Sequence, residues 1–194
     1  FCRDTLGEFF DLIPYCPEMA IGLGAPRPTI RLTGSPEATR VRGVKDSELD
    51  VTDDLAAYGM RIAAQETRLC GYILKKGSPS CGLTRVKVWG PKGQPMGSAA
   101  GKYTEVLKAQ RPLLPMEDEG RLNDASLRES FIERIYVAHR WHTLMDDGLT
   151  PGKLVDFHTR HKFLLLSHSE VEYRALGPLV ANAGKLKIKE LGEQ

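Results

Sequence analysis

The sequence has no apolar run long enough to span a membrane and no visible signal peptide, which leaves the cytoplasm as the expected compartment. It carries little net charge. A formal +2 over 194 residues offers no broad attraction to nucleic acid or an anionic lipid surface, so any such partner needs a local patch. Only four cysteines occur, Cys2, Cys16, Cys70 and Cys81. They are too few for a disulfide scaffold and are not closely paired as in a zinc ribbon. In a reducing compartment, such thiols point to metal binding or catalysis. Histidine is absent before His139. The chain opens on Phe1-Cys2-Arg3 rather than Met and is expected to be a fragment whose true start lies upstream.

The most informative stretch is Leu69 to Gly82, Leu-Cys-Gly-Tyr-Ile-Leu-Lys-Lys-Gly-Ser-Pro-Ser-Cys-Gly. Leu69 to Leu74 reads as a buried strand, and Gly77 and Pro79 end it. The loop that follows sets Ser78, Ser80 and Cys81 at the carboxyl end of a strand, where open α/β sheets place ligands. A Ser/Pro turn with an incidental thiol is the plainer reading. Upstream, Phe10 to Tyr15 reads as another buried strand, ending at Cys16-Pro17-Glu18. The Gly/Pro-rich Ile21 to Pro28 can bring backbone close to a ligand, and its Arg27, with Arg31, faces either an anion or solvent. Thr29 to Leu32 is expected as a short strand and Val41 to Val51 as a hairpin or irregular excursion.

Thr52 is a suitable N-cap for a helix to about Thr67, with Asp53 and Asp54 in its first turn. Helix followed by buried strand is half of a βαβ unit, whose right-handed crossover would make the strands before Cys16 and Cys81 parallel and put both thiols on one rim. Thr84 to Trp89 is a further strand, Ser98 to Gln110 a helix and Pro112 to Met116 a last strand. The expected fold is therefore α/β, a Rossmann-like open sheet of mainly parallel strands over residues 1–121. Beyond it, residues 122–194 read as an all-helical second domain. One helix runs from Leu127 to Leu144, a second starts at Thr150-Pro151, and a third covers Val171 to Val180, before the basic Lys185, Lys187 and Lys189.

Two strand-end cysteines, one with Glu18 two residues on and the other with Ser78 three residues before it, form the leading constellation. Soft thiolates select zinc, copper or iron–sulfur centres, and two of them leave room for a third ligand. The bland counterpart is a pair of unlinked core thiols, with Glu18 as a loop cap and Cys70 as a strand-core residue. In the helical part, His158, His161 and His168 share a face. They can bind metal or simply pack between helices, while His158-Thr159-Arg160-His161-Lys162 offers a contact for nucleic-acid phosphate.

Pro14-Tyr15-Cys16-Pro17-Glu18, Gly22-Leu23-Gly24 with Pro26-Arg27, Asp50-Val51-Thr52 and Lys75 to Gly82, in this order, resemble the thiouracil desulfidase (TudS-type) family. The resemblance covers about Phe1 to Met116, and Arg121 onward resembles the YbgA-type helical domain often fused behind it. The family implies a [4Fe-4S] cluster held by three cysteines, with one open iron that takes the sulfur of a thiolated nucleobase or nucleotide without redox change. By motif match Cys16 and Cys81 are two ligands, Glu18 is the base that activates water, and Ser78 orients that water or the ring. The third cysteine is expected in an early segment missing here, and Cys2 does not match it. The different-class alternative is a non-catalytic metal-containing module whose helices bind RNA or protein.

Overall fold

The computed structural model describes residues 4–46 and 48–185. The chain divides into two compact units, Phe1–Ile135 and Tyr136–Gln194.

The first unit is α/β. After a 3₁₀ turn at Leu6–Glu8 comes a four-residue helix, α1 (Pro17–Ala20), then β1 (Ile30–Ser35), β2 (Ala38–Gly43) and α2 (Thr52–Gln65). The strands β3 (Tyr72–Leu74), β4 (Val86–Trp89) and β5 (Pro95–Ala99) precede α3 (Lys102–Gln110) and β6 (Met116–Asp118). The main sheet has the order β2-β1-β4-β5, and only its central pair, β1 and β4, is parallel. Both outer pairs are antiparallel. The sheet is thus mixed, not mainly parallel as expected, because β1–β2 and β4–β5 are joined by turns too short for a parallel crossover. Gly93 supplies the positive φ of 76° in the second of these turns.

A second, two-stranded parallel sheet pairs β3 with β6. The expected strand over Phe10 to Tyr15 is absent: the segment has no ladder partner among the described residues, and Leu12 and Ile13 are exposed. The βαβ unit built on that strand is accordingly not formed among them. Ser98 and Ala99, expected at the start of a helix, close β5 instead, and the last strand lies after Pro115 rather than before it.

Helix α2 is the beam of the unit. Leu55 packs with Ile30, Leu32, Val41 and Val88 of the main sheet. Tyr58 and Ile62, three and seven residues on, face Leu74, Tyr103, Leu107 and Met116. Gly59 lets α3 approach, since a β-carbon there would lie 3.0 Å from the Tyr103 carbonyl oxygen. On the far side of β3, Ile73 meets Leu6, Leu122 and Phe131, with Ile132 and Ile135 beside them. The first turns of α4 (Ala125–Asp146) therefore belong to this unit, and the division falls inside that helix, beyond the expected boundary near Arg121.

The start of α2 is fixed electrostatically. Val51, not Thr52, is the N-cap, and Thr52 Oγ1 instead accepts from the Val41 amide at 2.8 Å. Asp50 gathers Arg40 Nε at 2.6 Å, Arg42 Nε at 3.0 Å and the Thr52 amide at 3.1 Å. The Arg40 guanidinium, foremost among these donors, holds the Asp50 carboxyl well below the usual carboxylate range against the opposing effect of burial.

The second unit contains the remainder of α4, then α5 (Pro151–His168) and α6 (Glu170–Ala181). Thr150 and Ser169 cap α5 and α6 by accepting from the Lys153 and Glu172 amides. His161 is buried: the Arg140 guanidinium donates to Nε2 at 3.2 Å, which leaves Nδ1 to carry the proton and donate to the Phe157 carbonyl at 2.7 Å. His158 stacks on Tyr173, and Arg160 pairs with Asp156. The basic residues Lys187 and Lys189 lie outside the described residues. No described helix is long and apolar enough to cross a membrane.

Two tests of this packing follow from particular contacts. Gly101 has φ −64° and ψ 147°, which any residue adopts, yet a β-carbon there would lie 2.5 Å from the Ser80 carbonyl. Gly101→Ala should therefore lower the unfolding free energy by about 1–3 kcal/mol through overpacking alone. An unchanged urea midpoint would show that the loop gives way freely. Asp50, depressed in the folded state, contributes stability above its unfolded pKa of about 3.9 and loses it as pH falls through and below that value. Asp50→Asn should cost roughly 1–3 kcal/mol at pH 7, with the gap to the parent closing below about pH 4 in a pH series of unfolding curves.

Candidate active site

The loop after β3 is tied to the first turn of α3. The amides of Gly101, Lys102 and Tyr103 donate to the carbonyls of Gly82, Pro79 and Ser80 at 2.8, 3.1 and 3.0 Å. These bonds satisfy donors that a helix start leaves open, and Gly101 provides no side-chain cap of its own. Gly77, at φ 72°, turns the chain out of the strand region.

Within that loop, Ser78 Oγ accepts from the amides of Ser80 and Cys81, both at 3.2 Å, and lies 3.4 Å from the Cys81 sulfur. With both lone pairs engaged, the Ser78 hydroxyl has only its proton left to offer. The nearest acceptor is Glu18 Oε1 at 3.5 Å. Ser78 is built as a donor.

Glu18 stands in the first turn of α1, next to Cys16, the N-cap. Its Oε1 accepts from Ser80 Oγ at 2.7 Å and its Oε2 pairs with Arg27 Nε at 2.6 Å. Arg27 also sets Nη1 3.5 Å from the Cys16 sulfur, so one guanidinium spans the carboxylate and the thiol. Cys16, Glu18, Arg27, Lys75, Ser78 and Cys81 all line a cavity of about 410 Å³. The four residues singled out from sequence, Cys16, Glu18, Ser78 and Cys81, are thus brought to one place without the strand expected before Cys16.

Burial pushes the Cys81 thiol up, against the lowering effect of the Ser78 hydroxyl. A metal bound there has to displace a proton. Cys81 packs against an aromatic floor, in which Tyr15 stacks on Tyr72 at 6.2 Å and the Tyr72 and Tyr103 hydroxyls are 2.9 Å apart. Burial raises both phenols far above their usual range and keeps them neutral.

Other residues weighed from sequence lie elsewhere. Arg31 is half-buried in β1 and is not among the residues lining the cavity, whereas Arg27 is. Half-buried Cys70 directs its thiol to the Arg68 carbonyl at 3.4 Å, and Cys2 lies outside the described residues. Among the described residues no group of three or more His, Cys, Asp or Glu side chains is set to hold a metal ion. Two participants are not singled out by the sequence: Ser80 is there only a loop hydroxyl beside Cys81, and Lys75 only the first residue of the Lys75 to Gly82 motif.

The model of the 2-thiouracil desulfurase family matches residues 1–119. A solved structure described as the [4Fe-4S]-dependent thiouracil desulfidase TudS is 30% identical, covering 66% of this chain and 80% of its own, with a TM-score of 0.46. A 54-residue stretch is 48% identical to the uncharacterized protein YbgA of Escherichia coli (strain K12), a match that spans 28% of this chain and 32% of that protein. The chain spans about a third of the length of this curated relative. The family match takes in every residue that lines the cavity, and by it the chain belongs to the 2-thiouracil desulfurase family.

Proposed function

We propose that this chain provides the desulfidase site of an iron–sulfur protein that converts 2-thiouracil, or a related thiolated nucleobase or nucleotide, to the oxo compound and sulfide. The observation that carries the reading is the convergence of two thiols, a carboxylate and a donor hydroxyl on one cavity within the family-matched residues. The donor set suits the cofactor, because two soft sulfurs face an open space and iron–sulfur clusters are held by thiolates. Cys16 and Cys81 would hold two corners of a [4Fe-4S] cluster. When bound, the cluster supplies an iron without a protein ligand, a Lewis acid that draws the substrate sulfur without a change of redox state.

The chain's own residues do the rest. Ser78 lines the cavity, and its hydroxyl, which donates weakly to Glu18 Oε1 at 3.5 Å, can turn that proton to a ring acceptor or the attacking water. Glu18, fixed by Ser80 and Arg27, takes a proton from water as its oxygen bonds to the carbon that carries sulfur. The carbon–sulfur bond then breaks, so that thiocarbonyl and water become carbonyl and hydrogen sulfide with no electrons left over. The helices from α4 onward would make up an accessory part of YbgA type, with the first turns of α4 packed into the α/β unit. A cytoplasmic setting suits the free thiols.

In the full-length protein reconstituted anaerobically, Cys16→Ser or Cys81→Ser should lose most bound iron, because an alcohol is a harder and less ionised ligand than a thiol. Parental iron content in either variant would strike that residue from the ligand set. Glu18→Gln keeps the shape and one of the two accepting atoms but cannot take a proton, so iron should stay while turnover falls about 10²–10⁴-fold. Turnover at the parental rate would place the base elsewhere.

A further inference from the structure

We infer that Ser80 is the positioning residue for Glu18, an inference that rests on the desulfidase reading above. Ser80 is completely buried and is not among the residues that line the cavity, so it does not meet substrate. Each of its polar groups is committed. The amide donates to Ser78 Oγ at 3.2 Å, the carbonyl accepts from the Tyr103 amide at 3.0 Å, and the hydroxyl donates to Glu18 Oε1 at 2.7 Å. Gly101 closes the space behind it, where a single added β-carbon would stand 2.5 Å from its carbonyl carbon and oxygen. A hydroxyl in such a place is a donor with one available direction.

The holder of the opposite oxygen, Oε2, is softer. Arg27 comes from the Gly/Pro loop, and its side chain is 39% exposed against 14% for Glu18. An exposed guanidinium can swing and still pair with a carboxylate, so it neutralises charge more than it sets direction. Ser80 makes the short bond to Oε1 at 2.7 Å and Ser78 a longer one at 3.5 Å, so Ser80 sets the direction of the carboxylate while the weaker Ser78 contact is the one that water or substrate can replace. Because Ser78, Ser80 and Cys81 share one loop clipped to α3, the same contact registers Glu18 against the donor hydroxyl and the ligand thiol, although 62 residues separate it from Ser80. A buried hydroxyl needs its partner, and the carboxylate is the only side chain it meets by hydrogen bond among the described residues.

The test is a double-mutant cycle in the full-length protein with Ser80→Ala, Glu18→Ala and the pair. In the reconstituted enzyme, Ser80→Ala should retain iron and KM while kcat falls roughly ten- to hundred-fold, the usual cost of losing a residue that orients a reacting group. In the Glu18→Ala background the same change should alter kcat less than about two-fold, since both changes act through one carboxylate. In iron-free protein, the shifts of the unfolding midpoint should be less than additive, because each variant breaks the same hydrogen bond. Parental kcat in Ser80→Ala, with Glu18→Ala impaired, would overturn the positioning role and leave the base reading intact. Parental kcat in Glu18→Ala would overturn both. Loss of iron together with kcat in Ser80→Ala, or additive midpoint shifts, would make Ser80 an ordinary core residue and overturn the inference.

Discussion

Glu18 is a carboxylate withdrawn from most of its water, and the chain meets both of its oxygens with donors from different segments: Ser80 from the loop after β3, Arg27 from the Gly/Pro loop. A half-buried carboxylate whose two oxygens are both met by donors ties together the three segments that supply the groups. Cys16 and Cys81 ride on two of them. Their shared cavity is therefore a consequence of how one carboxylate is satisfied, as much as of any backbone pairing between the segments. The Arg27 contact with the Cys16 sulfur extends the same network to the thiol.

Behind this network stands a rigid floor. Helix α2 buries Leu55 against one sheet and Tyr58 and Ile62 against the other, so both sheets are referred to a single helix. The tyrosine cluster of Tyr58, Tyr72 and Tyr103 fills the space under Cys81 with rings whose hydroxyls stay neutral. Large, well-fixed rings of this type order a core at low entropic cost. The loop above them needs no regular structure, because carbonyls of Pro79, Ser80 and Gly82 are used as the cap of α3.

Much of the candidate site was legible because its signals are local. Gly77 and Pro79 break a strand, and Cys16, Glu18, Ser78 and Cys81 sit in the short motifs that carry the family resemblance. The surroundings were less legible because they depend on distant partners. Phe10 to Tyr15 has strand-like composition, but composition does not supply a ladder, and the segment has none among the described residues. Conversely, Pro95-Met96-Gly97 has poor strand propensity and is exposed, yet pairs with β4 because the turn at Gly90 to Gln94 returns it there. The mixed sheet is the product of two such hairpins. The contact division inside α4 likewise reflects Phe131 and Ile135 finding Leu6 and Leu122, a pairing invisible to a reading of composition alone.

The proposed desulfidase reaction is hydrolytic, with water oxygen replacing sulfur on a ring carbon and Glu18 as the proposed proton acceptor. Turnover of 2-thiouracil in ¹⁸O-labelled water by the reconstituted full-length protein, followed by mass spectrometry of the product, tests it most directly. A hydrolytic reaction yields uracil carrying one ¹⁸O at the carbon that held sulfur, with one sulfide released for each uracil formed. Sulfide release with no label in the uracil would contradict it, as would labelled uracil formed without matching sulfide.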